Sequence, residues 1–275
     1  MTGALTGALG VLAGCGDDEG ATTEEDPMGD ERIAYGDHAD QYLQLYRPAG
    51  ASRGVVVVIH GGFWKAEYAA SLGRPLAESL REQGWTAANL EYRRVGAGGG
   101  VPATLDDVSA GIDALAGIEG LDTSTVVTLG HSAGGHLAVW AAARARFPRW
   151  ADTKVPVTAA ISQAGVVDLT AGYAADLGDG AVGRFVGAAP GPDYDAVDPQ
   201  RQLPLDVPVR CVHGTADDVV PVEQSRQYVA AAAAAGADAT MTEIDGGDHF
   251  VLIDPVSEAW TRTLALLDDL RPVAD

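Results

Sequence analysis

The stretch that most restricts this chain runs from Thr125 to Arg146: TVVTL, then GHSAGG, then HLAVWAAARAR. A β-branched run favours a buried strand, an alanine-rich run favours a helix, and the residues between them leave no room for an ordinary loop. The turn must be sharp, and its glycines permit the strained dihedrals and close packing that such a turn requires. A serine at its apex, Ser132, has its hydroxyl lifted clear of the backbone. It reads as a nucleophile awaiting partners.

The rest of the chain supplies a matching frame. VVVVIH (Val55–His60) is a continuous apolar run, as expected of a strand buried on both faces, whereas QYLQLY (Gln41–Tyr46) alternates like an edge strand. Further strands are expected near Thr86–Glu91, Val157–Ser162, Val207–Gly214 and Thr240–Asp245, with helices over Leu72–Gln83, Ala103–Ala116, Ser132–Arg146 and about Pro255–Leu270. Strands alternating with helices predict an α/β class with a mostly parallel sheet. Residues 168–206 lack periodicity and are rich in Gly, Pro and Asp, so they read as an insertion able to cap a pocket.

Before the frame, the chain looks like targeting sequence and spacer. Residues 1–15 are uncharged and end in LAGC (Leu12–Cys15), a signal-peptide pattern too short to span a membrane comfortably. Residues 16–35 are expected to be an acidic disordered tether, leaving 36–275 as the folded domain. The net charge is −21; without residues 1–32 the chain keeps 31 acids against 17 bases, a net −14. Such a surface repels a phosphate backbone, which argues against nucleic acid. Cys211 lies in the apolar run VPVRCVHG and reads as a buried strand residue, and no CxxC or HExxH pattern points to a metal.

A serine hydroxyl needs a base to take its proton, and the base needs a carboxylate to fix its tautomer. GTADD follows the strand ending at His213, placing Asp217 and Asp218 at the C-terminal edge of the sheet, and GGDHF places His249 at the same edge. Asp245 and Asp248 lie too near His249 in sequence to arrive from a separate strand, and Ser162 lacks the glycine framing of Ser132. His38, His60, His131, His136 and His213 read as structural groups. HGGFW (His60–Trp64) follows a buried strand, and its glycines let backbone amides approach a substrate carbonyl. The expected oxyanion donors are Gly62, Phe63 and Ala133, with His60, Gly61, Gly130 and Gly134 as motif support. Phe63, Trp64, Tyr173, Phe185 and Phe250 are candidate pocket aromatics.

HGGFW, GHSAGGHLA and HGTADDVVP together resemble α/β-hydrolases of the esterase/lipase group over roughly residues 40–272. Within that group the HGGxW pattern is most similar to the branch of kynurenine formamidases and small carboxylesterases. The resemblance implies a doubly wound, mostly parallel sheet with a small insertion after the sixth strand. It also implies a cofactor-free triad of Ser132, His249 and Asp217, with Asp217 preferred over Asp218. LAGC resembles the lipobox of bacterial lipoproteins, which implies lipid on Cys15 and anchoring at the outer face of a membrane. Hydrolysis of small carboxylic esters is the expected activity. An arylformamidase, acting on an amide and cytoplasmic, is the alternative; a serine peptidase or a non-catalytic ligand-binding protein ranks lower.

Overall fold

The computed structural model describes residues 31–270. The signal-peptide and lipidation expectations at residues 1–15, and most of the tether, lie outside the described residues. Eight strands build one sheet: β1 (Glu31–Ala34), β2 (Tyr42–Tyr46), β3 (Val55–Ile59), β4 (Thr86–Leu90), β5 (Val126–His131), β6 (Ala159–Gln163), β7 (Val209–Gly214) and β8 (Ala239–Ile244). Their spatial order is β1-β2-β4-β3-β5-β6-β7-β8. β2 runs antiparallel to both β1 and β4, and β3 to β8 are mutually parallel. The doubly wound sheet expected from the sequence is therefore present.

Two boundaries differ from expectation. The tether does not extend to residue 35: Glu31–Ala34 pairs with Tyr42–Leu45, and the Tyr35 hydroxyl donates to the Glu91 carbonyl at 2.5 Å. β1 is short, with three of its four residues exposed, so it has no apolar pattern to announce it. Because β1 covers β2, the alternating Tyr42–Tyr46 strand is not the sheet edge.

Helices cover both faces. α1 (Arg74–Glu82) and α7 (Glu258–Asp269) bury Leu76, Leu80, Trp260 and Leu267 against one face of the sheet. α2 (Ala103–Ala114) and α3 (Ala133–Ala143) cover the other, where α3 is buried at every position except Ala142. The insertion folds into α4 (Leu169–Ala174), α5 (Leu177–Val186) and short turns, and packs on this second face through Leu169, Val182 and Phe185. α6 (Glu223–Ala234), which the sequence reading did not anticipate, places Tyr228 beside Cys211 and Val139.

Strand order explains where a site can form. β4 lies to one side of β3 and β5 to the other, so the winding reverses between β3 and β5. Ligands bind at the carboxyl ends of strands at such a switch point. Ile59 pairs with Gly130, which brings the HGGFW loop beside the GHSAGG turn. The close approach depends on absent side chains: a Cβ on Gly134 would collide with the Ile59 carbonyl oxygen, and one on Gly61 would lie 2.6 Å from the His131 carbonyl oxygen. Overpacking against unyielding backbone costs about 1–3 kcal/mol, and each kcal/mol shifts the melting temperature by roughly 2–4 °C at this size. Gly134→Ala should therefore lower the melting temperature by about 2–12 °C in a thermal scan; an unchanged midpoint would contradict this packing.

Candidate active site

Ser132 adopts φ 57° and ψ −119° at the junction of β5 and α3. A left-handed backbone is uncommon outside glycine and costs on the order of 1–3 kcal/mol, so it persists only where the surroundings fix it. Here they do: Ser132 N–H donates to Gln163 O at 2.8 Å, and Ser132 O accepts from Gly135 N at 2.9 Å, His136 N at 3.2 Å and Val166 N at 3.4 Å. The chain leaving β6 thus grips the serine from both sides.

Asp217 and His249 arrive from the ends of β7 and β8. His249 Nδ1 donates to Asp217 Oδ2 at 2.7 Å, and the Asp217 side chain is fully buried. Asp217 Oδ1 accepts from Val219 N at 2.9 Å and Val220 N at 2.8 Å. His213 Nε2 lies 3.3 Å from Asp217 Oδ2 and 2.9 Å from Val220 O, while its Nδ1 sits 2.8 Å from Ser225 Oγ. Two acceptors at Nε2 put the His213 proton there and leave Nδ1 to accept from Ser225. Burial alone would raise the Asp217 carboxyl, but the hydrogen bonds from His213, His249 and Val220 outweigh it and hold the group well below the usual carboxylate range. Asp218 is exposed and has no hydrogen-bond partner among the described residues.

Ser132 and His249 line one cavity of about 160 Å³. No hydrogen bond joins Ser132 Oγ to His249, the one link of the Ser–His–Asp chain left open here; such bonds are often long before substrate binds. The amides of Gly62, Phe63 and Ala133 take no acceptor among the described residues. Gly62, Phe63 and Trp64 have φ of 107°, 52° and 54°, a left-handed run closed by the Lys65 N to Gly62 O bond at 2.9 Å. Trp64 pins this loop into the core, stacked on Phe185 of α5 at 4.5 Å and 13°. At its root, the His60 ring stacks on Tyr92 at 4.4 Å, and the Tyr92 hydroxyl donates to His60 O at 2.8 Å.

The cavity runs toward the α1 and α7 face, between Val58, Leu72, Leu76, Leu129 and Ile253. This corrects two expectations. The insertion 168–206 does not line it: that segment packs on the opposite face, with Gly178 close to Phe63 at the mouth. Of the candidate aromatics, Phe63 and Phe250 line the cavity, Trp64 and Phe185 lie in the core, and Tyr173 faces a separate surface hollow. Residue types alone do not reveal which face of the sheet a loop opens onto.

Two contributors, Glu91 and Gln163, went unread in the sequence, and a third, His131, was read as a structural group. Glu91, 2% exposed, accepts from Ala70 N at 2.8 Å and Tyr92 N at 2.9 Å, pairs with Arg94, and sits 3.1 Å from His60 Nε2, bracing the HGGFW loop. His131 Nε2 donates to His249 O at 2.9 Å. Gln163 is buried at the cavity wall, bonded to the Ser132 amide and to Leu252 O. A charged residue closing an otherwise apolar strand, as in NLEYRR, was the available signal for Glu91. Among the described residues no group of three or more His, Cys, Asp or Glu could hold a metal ion.

Burial and the nearby His249 push the His131 imidazole down to about 3, and burial pushes His136 down to about 4. In the unfolded chain both bind protons near pH 6.5. Between these values the unfolded state holds more protons, so stability is full above about pH 6.5 and falls as pH drops toward 4. Urea midpoints should show a loss of at least about 1 kcal/mol per pH unit in that window; a flat profile would contradict neutral burial. For the acid, Asp217→Asn should cost at least about 10³-fold in turnover by removing the partner that stabilises the imidazolium, with Asp218→Asn within a few-fold of wild type. Equal losses would overturn the assignment.

The BD-FAE family model matches residues 43–231. Esterase LipC of Mycobacterium tuberculosis is 29% identical over 220 residues, covering 72% of this chain and 53% of LipC. The probable carboxylic ester hydrolase LipM of the same organism is 29% identical over 221 residues, covering 73% of this chain and 51% of LipM. The chain thus spans about half the length of the curated relatives it matches. Among solved structures, esterase Est2 of Thermogutta terrifontis is similar with a TM-score of 0.71 and 25% identity, covering 88% of this chain and 91% of that one. Est2 has also been solved phosphoramylated by tabun and with propionate bound.

Proposed function

The chain belongs to the BD-FAE family and has the α/β-hydrolase fold, and from its site we propose that it hydrolyses small carboxylic esters through an acyl-enzyme on Ser132. The observation that carries this reading is the 2.7 Å His249–Asp217 bond delivered into the same cavity as a strained serine. The esterase names of its relatives agree with it.

Asp217 holds the His249 proton on Nδ1, so Nε2 is free to take the Ser132 proton as Oγ attacks the acyl carbonyl. The developing oxyanion turns toward the amides of Gly62, Phe63 and Ala133; loss of one such donor typically costs about 3–4 kcal/mol. The imidazolium then protonates the leaving alcohol, and water repeats the sequence to release the acid. The acyl group lies among Val58, Leu72, Leu76, Leu129 and Ile253, where no charged side chain can pair with an acyl carboxylate. An apolar cavity of about 150 Å³ accommodates a benzene ring, so this one fits a short chain or a single ring. The same reading puts the enzyme at the outer face of a bacterial membrane through lipid on Cys15, supported by the LAGC segment; Cys15→Ala should release it from the detergent phase.

On p-nitrophenyl esters, acetate to butyrate should be turned over and palmitate should not. Ser132→Ala should reduce turnover by at least about 10⁴-fold, and fluorophosphonate should add one adduct, on Ser132. Faster hydrolysis of N-formylkynurenine than of every ester would overturn the ester reading in favour of the formamidase alternative. Labelling at another residue would overturn the nucleophile.

A further inference from the structure

Gln163 ends β6 fully buried beside the cavity, and its two halves hold different parts of the site. Its carbonyl accepts the Ser132 amide at 2.8 Å. Its side-chain Nε2 donates to Leu252 O at 2.8 Å and to Thr263 Oγ1 at 3.3 Å. Leu252 lies three residues beyond His249, in the short helical turn Val251–Ile253 that follows the base. The amide orientation is fixed, because Thr263 Oγ1 already donates to Ala259 O at 2.9 Å and can only accept from Gln163.

The other half of the amide makes the arrangement informative. Gln163 Oε1 is buried with no partner. An unpaired buried acceptor is costly, and folding alone would be served as well by an apolar side chain of the same shape. A polar group kept at that cost calls for a reason, and the bond to Leu252 supplies one.

We propose that Gln163 is a positioning residue that sets the distance between nucleophile and base, holding Ser132 by its backbone and the His249 loop by its side chain. His131 makes a second tie of the same kind, from the residue before Ser132 to His249 O. Without the Gln163 bond, the turn after His249 loses its side-chain hydrogen bond to the end of β6, and the base shifts relative to Ser132 Oγ. The inference rests on the ester-hydrolase reading for its kinetic consequence but not for its structural one.

The test replaces the amide by an apolar side chain of similar shape. Gln163→Met removes the donor together with the unpaired oxygen, so the melting temperature should stay within about 3 °C. A misplacement of about 1 Å at a reacting pair costs on the order of 100-fold, so kcat should fall by roughly 10- to 100-fold with KM within about twofold. The downfield resonance of the His249 Nδ1 proton should shift or broaden. Gln163→Glu, whose buried carboxyl is held neutral and can donate one bond to Leu252 O, should keep more turnover than the methionine variant. Thr263→Val removes the weaker of the two Gln163 bonds, together with the bond of Thr263 to Ala259 O in its own helix, and should leave kcat within about twofold.

Unchanged kcat and an unchanged His249 resonance in Gln163→Met would overturn the proposal. So would parallel loss of turnover and melting temperature in Gln163→Met and Thr263→Val alike, which marks an ordinary packing role. If Gln163→Met does not fold, Gln163→Glu decides: turnover and the His249 resonance that move together, or both stay near wild type, support the proposal, and either one moving without the other overturns it. A wild type inactive on every ester, whose His249 resonance still responds to Gln163, would remove the ester reading and leave the positioning role standing.

Discussion

The left-handed backbone of Ser132 is the constraint around which the rest of the molecule is arranged. A strand buried on both faces must pass into a helix buried almost all round without an intervening loop, and Ser132 absorbs the change of direction at φ 57°. Holding it there requires glycines where β3 passes α3, and it requires the exit of β6 to bond the serine amide and carbonyl. The reversal of winding between β3 and β5 then puts the Gly62 and Phe63 amides beside the serine. Strain, sheet order and the free amides of the HGGFW loop are one geometric fact seen from three sides.

Electrostatics completes what the backbone begins. Asp217 is buried, yet it stays ionised because His213, His249, Val219 and Val220 all aim donors at it. Beside that carboxylate the neighbouring ring is kept neutral: burial and the nearby His249 push the His131 imidazole down to about 3. A cationic neighbour there would oppose an imidazolium on His249, which the proposed reaction requires. Under the proposed reaction, fixed dipoles and the Asp217 carboxylate are the groups that would stabilise charge appearing only in the transition state.

Much of this was legible in the sequence because the motifs are local. GHSAGG, HGGFW, HGTADD and GGDHF each sit at a strand end, so their order alone brings Ser132, His249 and an aspartate to one edge of the sheet. The choice of Asp217 over Asp218 rested on resemblance, and its physical cause is the set of donors that only the folded chain assembles. β1 escaped notice because a short, exposed strand needs no apolar pattern. Residues 168–206 were expected over the cavity, but Phe185 and Trp64 tie that segment to the opposite face. Leu72 and Leu76 fall within an expected helix, and nothing in the sequence ties them to the cavity; the role of Gln163 depends on a partner 89 positions away.

The account is tested most directly by a crystal structure of the protein inhibited with a short-chain alkyl phosphonate, a tetrahedral stand-in for the acylation intermediate. It expects phosphorus on Ser132 Oγ, the phosphoryl oxygen within about 3 Å of the Gly62, Phe63 or Ala133 amides, and the alkyl group among Leu72, Leu76 and Ile253. A phosphoryl oxygen turned away from those amides, or an alkyl chain lying toward residues 168–206, would contradict it.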